Sequence, residues 1–217
     1  MLRIGDRALL IDAGPDLRQQ LLRARVDHLD AVLLTHEHMD HIGGIDDLRA
    51  LNYRMKRPMD IHASAETLRA VERVYAYAFA ADRYPGVPEL NLRPIEGRRF
   101  EAGGVALETI QVLHHRMPVL GFRFGGLAYI TDAKTMASDE VDRIAGVHTL
   151  VINALRIEPH PSHLNLREAL ALVERIGPRQ AFFTHISHLL GKHAEVEAAL
   201  PEGVRLAFDG LELEVPE

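Results

Sequence analysis

A chain of 217 residues with 47% apolar and 26% charged content suits one sizeable α/β domain and excludes a disordered or low-complexity chain. No cysteine is present, which excludes disulfides and thiolate metal sites, and no apolar run approaches the roughly 18–20 residues that span a bilayer, so no membrane association is expected. The net charge of −6 argues against a large nucleic-acid surface, which needs a basic stripe, but leaves a small phosphorylated substrate open.

No repeat or linker interrupts the chain, so a single domain over residues 1–217 is predicted, and without a leader segment its location is expected to be cytoplasmic. Leu2–Ile4 and residues 8–11 flank a Gly5-Asp6 turn and read as a hairpin. Pro15 and Asp16 open a helix with Leu17, Leu21 and Leu22 on one stripe. Residues 31–34 form a short apolar run that predicts a buried strand. Ser64 is an N-cap for a helix carrying Leu68, Val71, Val74 and Ala78. Strands and turns are expected from 100 to 130, then a strand at 150–152. Asn165 with Glu168 predicts a capping box for a helix through Ile176, stopped by Gly177-Pro178. A strand at 181–184, a helix at 194–200 and two closing strands, 204–208 and 211–215, complete the reading. Strands flanked by helices in both halves suggest two sheets packed face to face with helices outside.

Most of the 13 histidines fall in tight groups, and the densest follows the strand at 31–34. It reads Thr35-His36-Glu37-His38-Met39-Asp40-His41-Ile42-Gly43-Gly44. Imidazoles at i and i+2 of an extended segment project to one side, so His36 and His38 can grip one ion. Asp40 and His41 can reach a second position as the chain turns into a helix. So many ionisable groups in six residues would be costly in a core without a cation.

This His-x-His-x-Asp-His segment after a buried strand resembles the motif of the metallo-β-lactamase superfamily, and further residues follow in the family's order. Such a resemblance implies a four-layer αββα sandwich and two divalent metal ions, zinc or manganese with iron also suited. His36, His38 and His114 match ligands of the first ion, Asp40, His41 and His185 those of the second, and Asp132 the bridging carboxylate. Asp12 matches an aspartate that orients the site from behind the ligands. His115 stands beside His114 as the other candidate, but Ile110, Val112 and His114 share one face of the strand, which favours His114. In the family two such ions activate a shared hydroxide, with Asp40 able to orient it, and form a positive centre suited to an anionic substrate.

Two segments narrow the substrate. Glu158-Pro159-His160-Pro161-Ser162-His163-Leu164-Asn165 and Thr184-His185-Ile186-Ser187-His188 resemble the branch containing the phosphoribosyl cyclic phosphate phosphodiesterase of phosphonate breakdown. There the residue matching His163 meets the phosphate and is a candidate proton donor; a role for His160 is left open. The expected enzyme is therefore a dinuclear phosphodiesterase acting on a small cyclic or nucleotide-like phosphate, with a homodimer consistent with the resemblance. Alternatives are a ribonuclease Z-like enzyme, a carboxylic-ester, lactone or thioester hydrolase, and an inactive metal-binding fragment. Relatives carry an additional N-terminal glycine-rich strand and a cysteine-bearing segment that are missing here, through a misplaced gene start or through loss, and His188, which in some relatives joins those cysteines around zinc, is left without an assigned role. Arg49, Arg54, Lys56 and Arg57 are read as a solvated helix end, and His28, His62, His148 and His193 as packing or surface residues.

Overall fold

The computed structural model describes residues 1–216, which divide into two compact units, Met1–Leu107 and the remainder from Glu108. Each unit has its own apolar core.

The first unit runs β1 (Leu2–Ile4), β2 (Arg7–Ile11), α1 (Leu17–Arg23), β3 (Ala31–Leu33), α2 (Met39–Ile42), a 3-10 turn at Ile45–Leu48, α3 (Arg49–Met55), β4 (Met59–Ala63), α4 (Ala65–Val74), α5 (Ala76–Phe79), β5 (Leu90–Pro94) and β6 (Arg99–Ala102). Its sheet has the order β1-β2-β3-β4-β5, with β1 antiparallel to β2 and the other neighbours parallel. All of β3 is buried, as expected of a parallel strand covered on both faces. The parallel run of β2 and β3 places their C-terminal ends side by side, and the polar residues Asp12 and Thr35 follow those ends. Ser64 caps α4 by accepting from the Thr67 N–H. The helix stops earlier than its apolar spacing suggests: Tyr75 leaves helical geometry, and its buried hydroxyl donates to the Ile42 carbonyl at 2.7 Å.

Gly44 marks a backbone contact that no side chain could share. Its N–H donates to Ala13 O at 2.7 Å. A Cβ at this position would lie 2.1 Å from Gly14 O and 2.8 Å from Leu17 Cβ. Gly44→Ala is therefore expected to force the loop after β2 away from the turn after α2, lowering stability by about 2–3 kcal/mol. Thermal unfolding checks this; an unchanged midpoint would mean the two loops separate without cost.

Beginning in the first unit, β7 (Val105–His114) runs into the second. There follow β8 (Met117–Phe124), β9 (Leu127–Tyr129), β10 (Thr135–Met136), α6 (Ser138–Arg143), β11 (Thr149–Asn153), α7 (Leu166–Ile176), β12 (Gln180–Thr184), a 3-10 turn at His188–Leu190, α8 (His193–Glu197) and β13 (Val204–Leu206). The sheet order is β10-β7-β8-β9-β11-β12-β13, with β9, β11, β12 and β13 mutually parallel. The capping box on α7 is complete: Asn165 Oδ1 accepts from the Glu168 N–H at 2.9 Å and Glu168 Oε2 from the Asn165 N–H at 3.0 Å. Gly177 closes the helix in the left-handed conformation. One expectation fails at the end of the chain, where β13 stops at Leu206 and residues 211–215 form no strand. Leu211 and Val215 there are partly buried while Glu212 and Glu214 are exposed, and the segment meets the rest of the unit through the Gly126 N–H donating to Pro216 O at 3.3 Å rather than through a strand ladder. No helix among the described residues is long and apolar enough to cross a membrane.

Candidate functional site

In the first unit the site residues sit where β2 and β3 end. Asp12 follows β2 with φ +57°, and its carboxylate is fully engaged. Oδ1 accepts from the Thr35 N–H at 2.8 Å, and Oδ2 accepts from the Thr35 hydroxyl at 2.9 Å and lies 2.7 Å from His41 Nδ1. A carboxylate can only accept, so His41 carries its proton on Nδ1 and offers Nε2 as a ligand atom. Because the Thr35 hydroxyl proton goes to Asp12, its oxygen accepts from His36 Nδ1 at 3.0 Å, leaving His36 Nε2 as the ligand atom. Thr35 thus fixes two ring orientations at once, a role its sequence position directly before a histidine cluster hints at but does not specify.

The ligand atoms themselves lie at telling separations. His36 Nε2 is 3.1 Å from His38 Nδ1, and His41 Nε2 is 3.3 Å from Asp40 Oδ2. Two donors bound tetrahedrally to one ion at about 2.0–2.1 Å would be separated by about 3.3 Å. His36 and His41 are buried, with ring centroids 4.1 Å apart, while His38 and Asp40 are exposed. A donor set of imidazoles and carboxylates at these spacings fits divalent cations.

The second unit gathers its own group at the ends of β7, β9 and β12. Asp132 is buried with φ +56°, and His185 has φ +52°. Positive φ is uncommon for residues other than glycine and aims these two side chains where an extended strand would not. Asp132 Oδ2 accepts from the Thr131 hydroxyl at 2.6 Å, and Oδ1 lies 3.1 Å from His185 Nε2. The last residue of β7, His114, has its ring 4.4 Å from that of His163. His114, Asp132 and His163 present ligand atoms all within 4.8 Å of one another. Its neighbour His115 is exposed in the two-residue turn between β7 and β8, with φ +57°. Only His114 of this pair joins the group.

His163 is 8% exposed, stacked 4.9 Å from His185 and 5.0 Å from His160. Its Nδ1 is buried without a hydrogen-bond partner, and the nearest carboxylate oxygen, Asp132 Oδ1, is 3.6 Å away. Burial drives its pKa down to about 4 against the opposing pull of Asp132, so the ring is neutral at pH 7. Burial, and then the Arg156 guanidinium, also hold His160 below the ordinary imidazole value. His188 is exposed at the start of the 3-10 turn His188–Leu190.

The residues set aside in the sequence are occupied elsewhere. Arg49 pairs with Asp46 at 3.7 Å and Arg54 with Asp27 at 3.0 Å, while Arg57 donates to Leu29 O at 2.8 Å. Lys56 ends α3 in the left-handed conformation. His28 pairs with Asp27, His62 and His193 lie near Phe100 and Phe208, and His148 meets Thr149.

Residues 7–186 match the family described as the Beta-lactamase superfamily domain. An octanoyltransferase of Porphyromonas gingivalis is 37% identical over 213 residues, 97% of this chain and 43% of that protein. A ribonuclease Z of Bradyrhizobium diazoefficiens is 37% identical over 122 residues, 54% of this chain and 40% of that protein. The chain thus spans about two-fifths of the length of these curated relatives. Among solved structures, a diphosphatase from the PhnP family superposes with a TM-score of 0.90 at 32% identity, covering 97% of this chain and 80% of that one.

Proposed function

Because the chain belongs to the β-lactamase superfamily and has the metallo-β-lactamase hydrolase fold, we propose that it is a dinuclear phosphodiesterase acting on a small cyclic or nucleotide-like phosphate. The observation that carries this reading is the placement of His163: a buried imidazole packed between His114 and His185 and 3.6 Å from Asp132. It has the position of a proton carrier set against a ligand group. The solved diphosphatase relative supports a phosphorylated substrate.

The fold implies divalent metal ions. By the resemblance, His36, His38 and His114 would hold one ion and Asp40, His41 and His185 a second, with Asp132 a further ligand. When bound, such ions supply Lewis-acid activation of water and offset charge on the phosphoryl group. Zinc or manganese suits the imidazole and carboxylate donors, and iron does also. The chain's own residues do the rest. Asp12 and Thr35 keep the ligand nitrogens of His36 and His41 deprotonated and facing outward. The exposed carboxylate of Asp40 can hold the attacking water in line. The Thr131 hydroxyl fixes the orientation of Asp132. His163 hands a proton to the leaving oxygen, which would otherwise depart as an alkoxide.

Acyl-ester or thioester hydrolysis is the second reading, favoured by the octanoyltransferase relative. That protein is more than twice as long as the matched region. The test is to measure turnover of bis(p-nitrophenyl) phosphate and p-nitrophenyl octanoate side by side on metal-loaded protein, with metal counted by elemental analysis. Two ions per chain and phosphodiester turnover are expected. Octanoate turnover without phosphodiester turnover would replace the proposal with the acyl reading.

A further inference from the structure

The chemistry above leaves unused one histidine that packs against His163. Residues 156–163 form a braced loop: Leu155 N–H donates to Leu164 O at 3.0 Å, and Arg156 donates from Nε to Glu158 O at 3.2 Å and from Nη2 to Pro159 O at 2.6 Å. This loop carries His160, whose ring lies 5.0 Å from that of His163 at 41°.

The tautomer of His160 follows from its neighbours. The Ser162 N–H points at Nδ1 from 3.3 Å, and the Ser162 hydroxyl lies 3.2 Å from the same nitrogen. An N–H can only donate, so Nδ1 is the acceptor and the ring's proton resides on Nε2. Among the described residues no protein group takes up that Nε2–H, and the ring is partly open to solvent. The positive charges of Arg156 and Lys134 act on the same ring, and Lys134 is held by Glu168 at 2.8 and 2.9 Å. A fixed donor near the Arg156 guanidinium thus stands beside the proton carrier without an acceptor of its own. A phosphoryl group offers at least two non-bridging oxygens to neighbouring donors, whereas an acyl carbonyl offers one.

We propose that His160 is a second substrate-binding residue, its Nε2–H donating to a phosphoryl oxygen next to the one that meets His163. The inference rests on the phosphodiesterase reading, and Ser162 is its positioning partner. The experiment compares wild type, His160→Ala and His160→Gln, all metal-loaded. It reads KM and kcat on bis(p-nitrophenyl) phosphate, the Kd for inorganic phosphate by calorimetry, and metal content. In His160→Ala, KM and the phosphate Kd are expected to rise about 10- to 100-fold, the worth of a hydrogen bond to a charged group, while kcat changes less and metal content stays constant. His160→Gln, which keeps an N–H donor, recovers part of the phosphate affinity, and it alone carries the test should the alanine variant fail to fold. Wild-type KM and phosphate affinity in either variant would overturn the inference, as would loss of metal, which would make His160 a ligand. If the wild type itself neither binds phosphate nor cleaves the diester, it is the phosphodiesterase reading that has failed, and the inference falls with it.

Discussion

Asp132→Ala is expected to reduce metal content from about two ions per chain to one or fewer and to cut phosphodiester turnover by roughly 10³-fold or more. Burial is the first reason. Asp132 is 1% exposed, with one oxygen taken by Thr131 and the other 3.1 Å from His185 Nε2 and 3.6 Å from His163 Nδ1. Removing that carboxylate leaves a buried group of imidazoles facing one another with nothing to balance a cation. Polarisation by a metal ion is worth several kcal/mol of transition-state stabilisation, and each 1.36 kcal/mol is about tenfold in rate. The φ of +56° at this position means that alanine adds backbone strain of its own, so Asp132→Asn is the companion variant. Asparagine tolerates the left-handed conformation and keeps the shape while removing the charge and one acceptor oxygen. Elemental analysis and turnover of both variants decide the matter; two ions at full occupancy in Asp132→Asn would end the bridging role.

His163→Ala should behave differently, keeping both ions while kcat drops by about 10²–10⁴-fold, the usual worth of general acid–base catalysis. The free protein holds the ring neutral, with a pKa of about 4 set by burial. An anionic phosphoryl group beside it raises proton affinity by the same electrostatics that Asp132 exerts. The loss should therefore be smaller for a substrate with a good leaving group, such as p-nitrophenolate, than for one that leaves as an alkoxide. Comparing an aryl with an alkyl phosphodiester under single-turnover conditions checks this. Equal losses on both would place His163 in binding rather than proton transfer, and metal loss would make it a ligand.

The elements with the clearest local signals were legible before any coordinates. The opening hairpin, the buried strand at Ala31–Leu33, the Ser64 cap and the Asn165–Glu168 capping box each follow from side-chain chemistry within a few residues. Illegible elements depend on distant partners. Tyr75 interrupts a periodic helix in order to reach the Ile42 carbonyl 33 residues away, and no local pattern announces that. Residues 211–215 alternate like a strand and half-bury Leu211 and Val215, but form no strand ladder. At the site, the histidines and acids were conspicuous because so many ionisable groups in apolar surroundings need a reason. Between His114 and His115 the alternation favoured His114, which shares a strand face with the buried Ile110 and Val112, and the structure places that residue in the group. Thr35, Thr131 and Ser162 escaped notice because a hydroxyl that orients a ligand has the same sequence signature as one that meets water.

Asp12, Asp132 and His185 each follow a strand with a backbone conformation that glycine would adopt more readily. Strain of this kind is worth of order 1 kcal/mol per residue. Hydrogen bonds offset that strain at Asp12 and Asp132, but at His185 selection on thermal tolerance alone would drift toward glycine, hardening the scaffold while silencing it. A variant library sorted by melting temperature would discard hydrolysis there first, and any campaign to make this protein more robust should hold position 185 fixed from the outset.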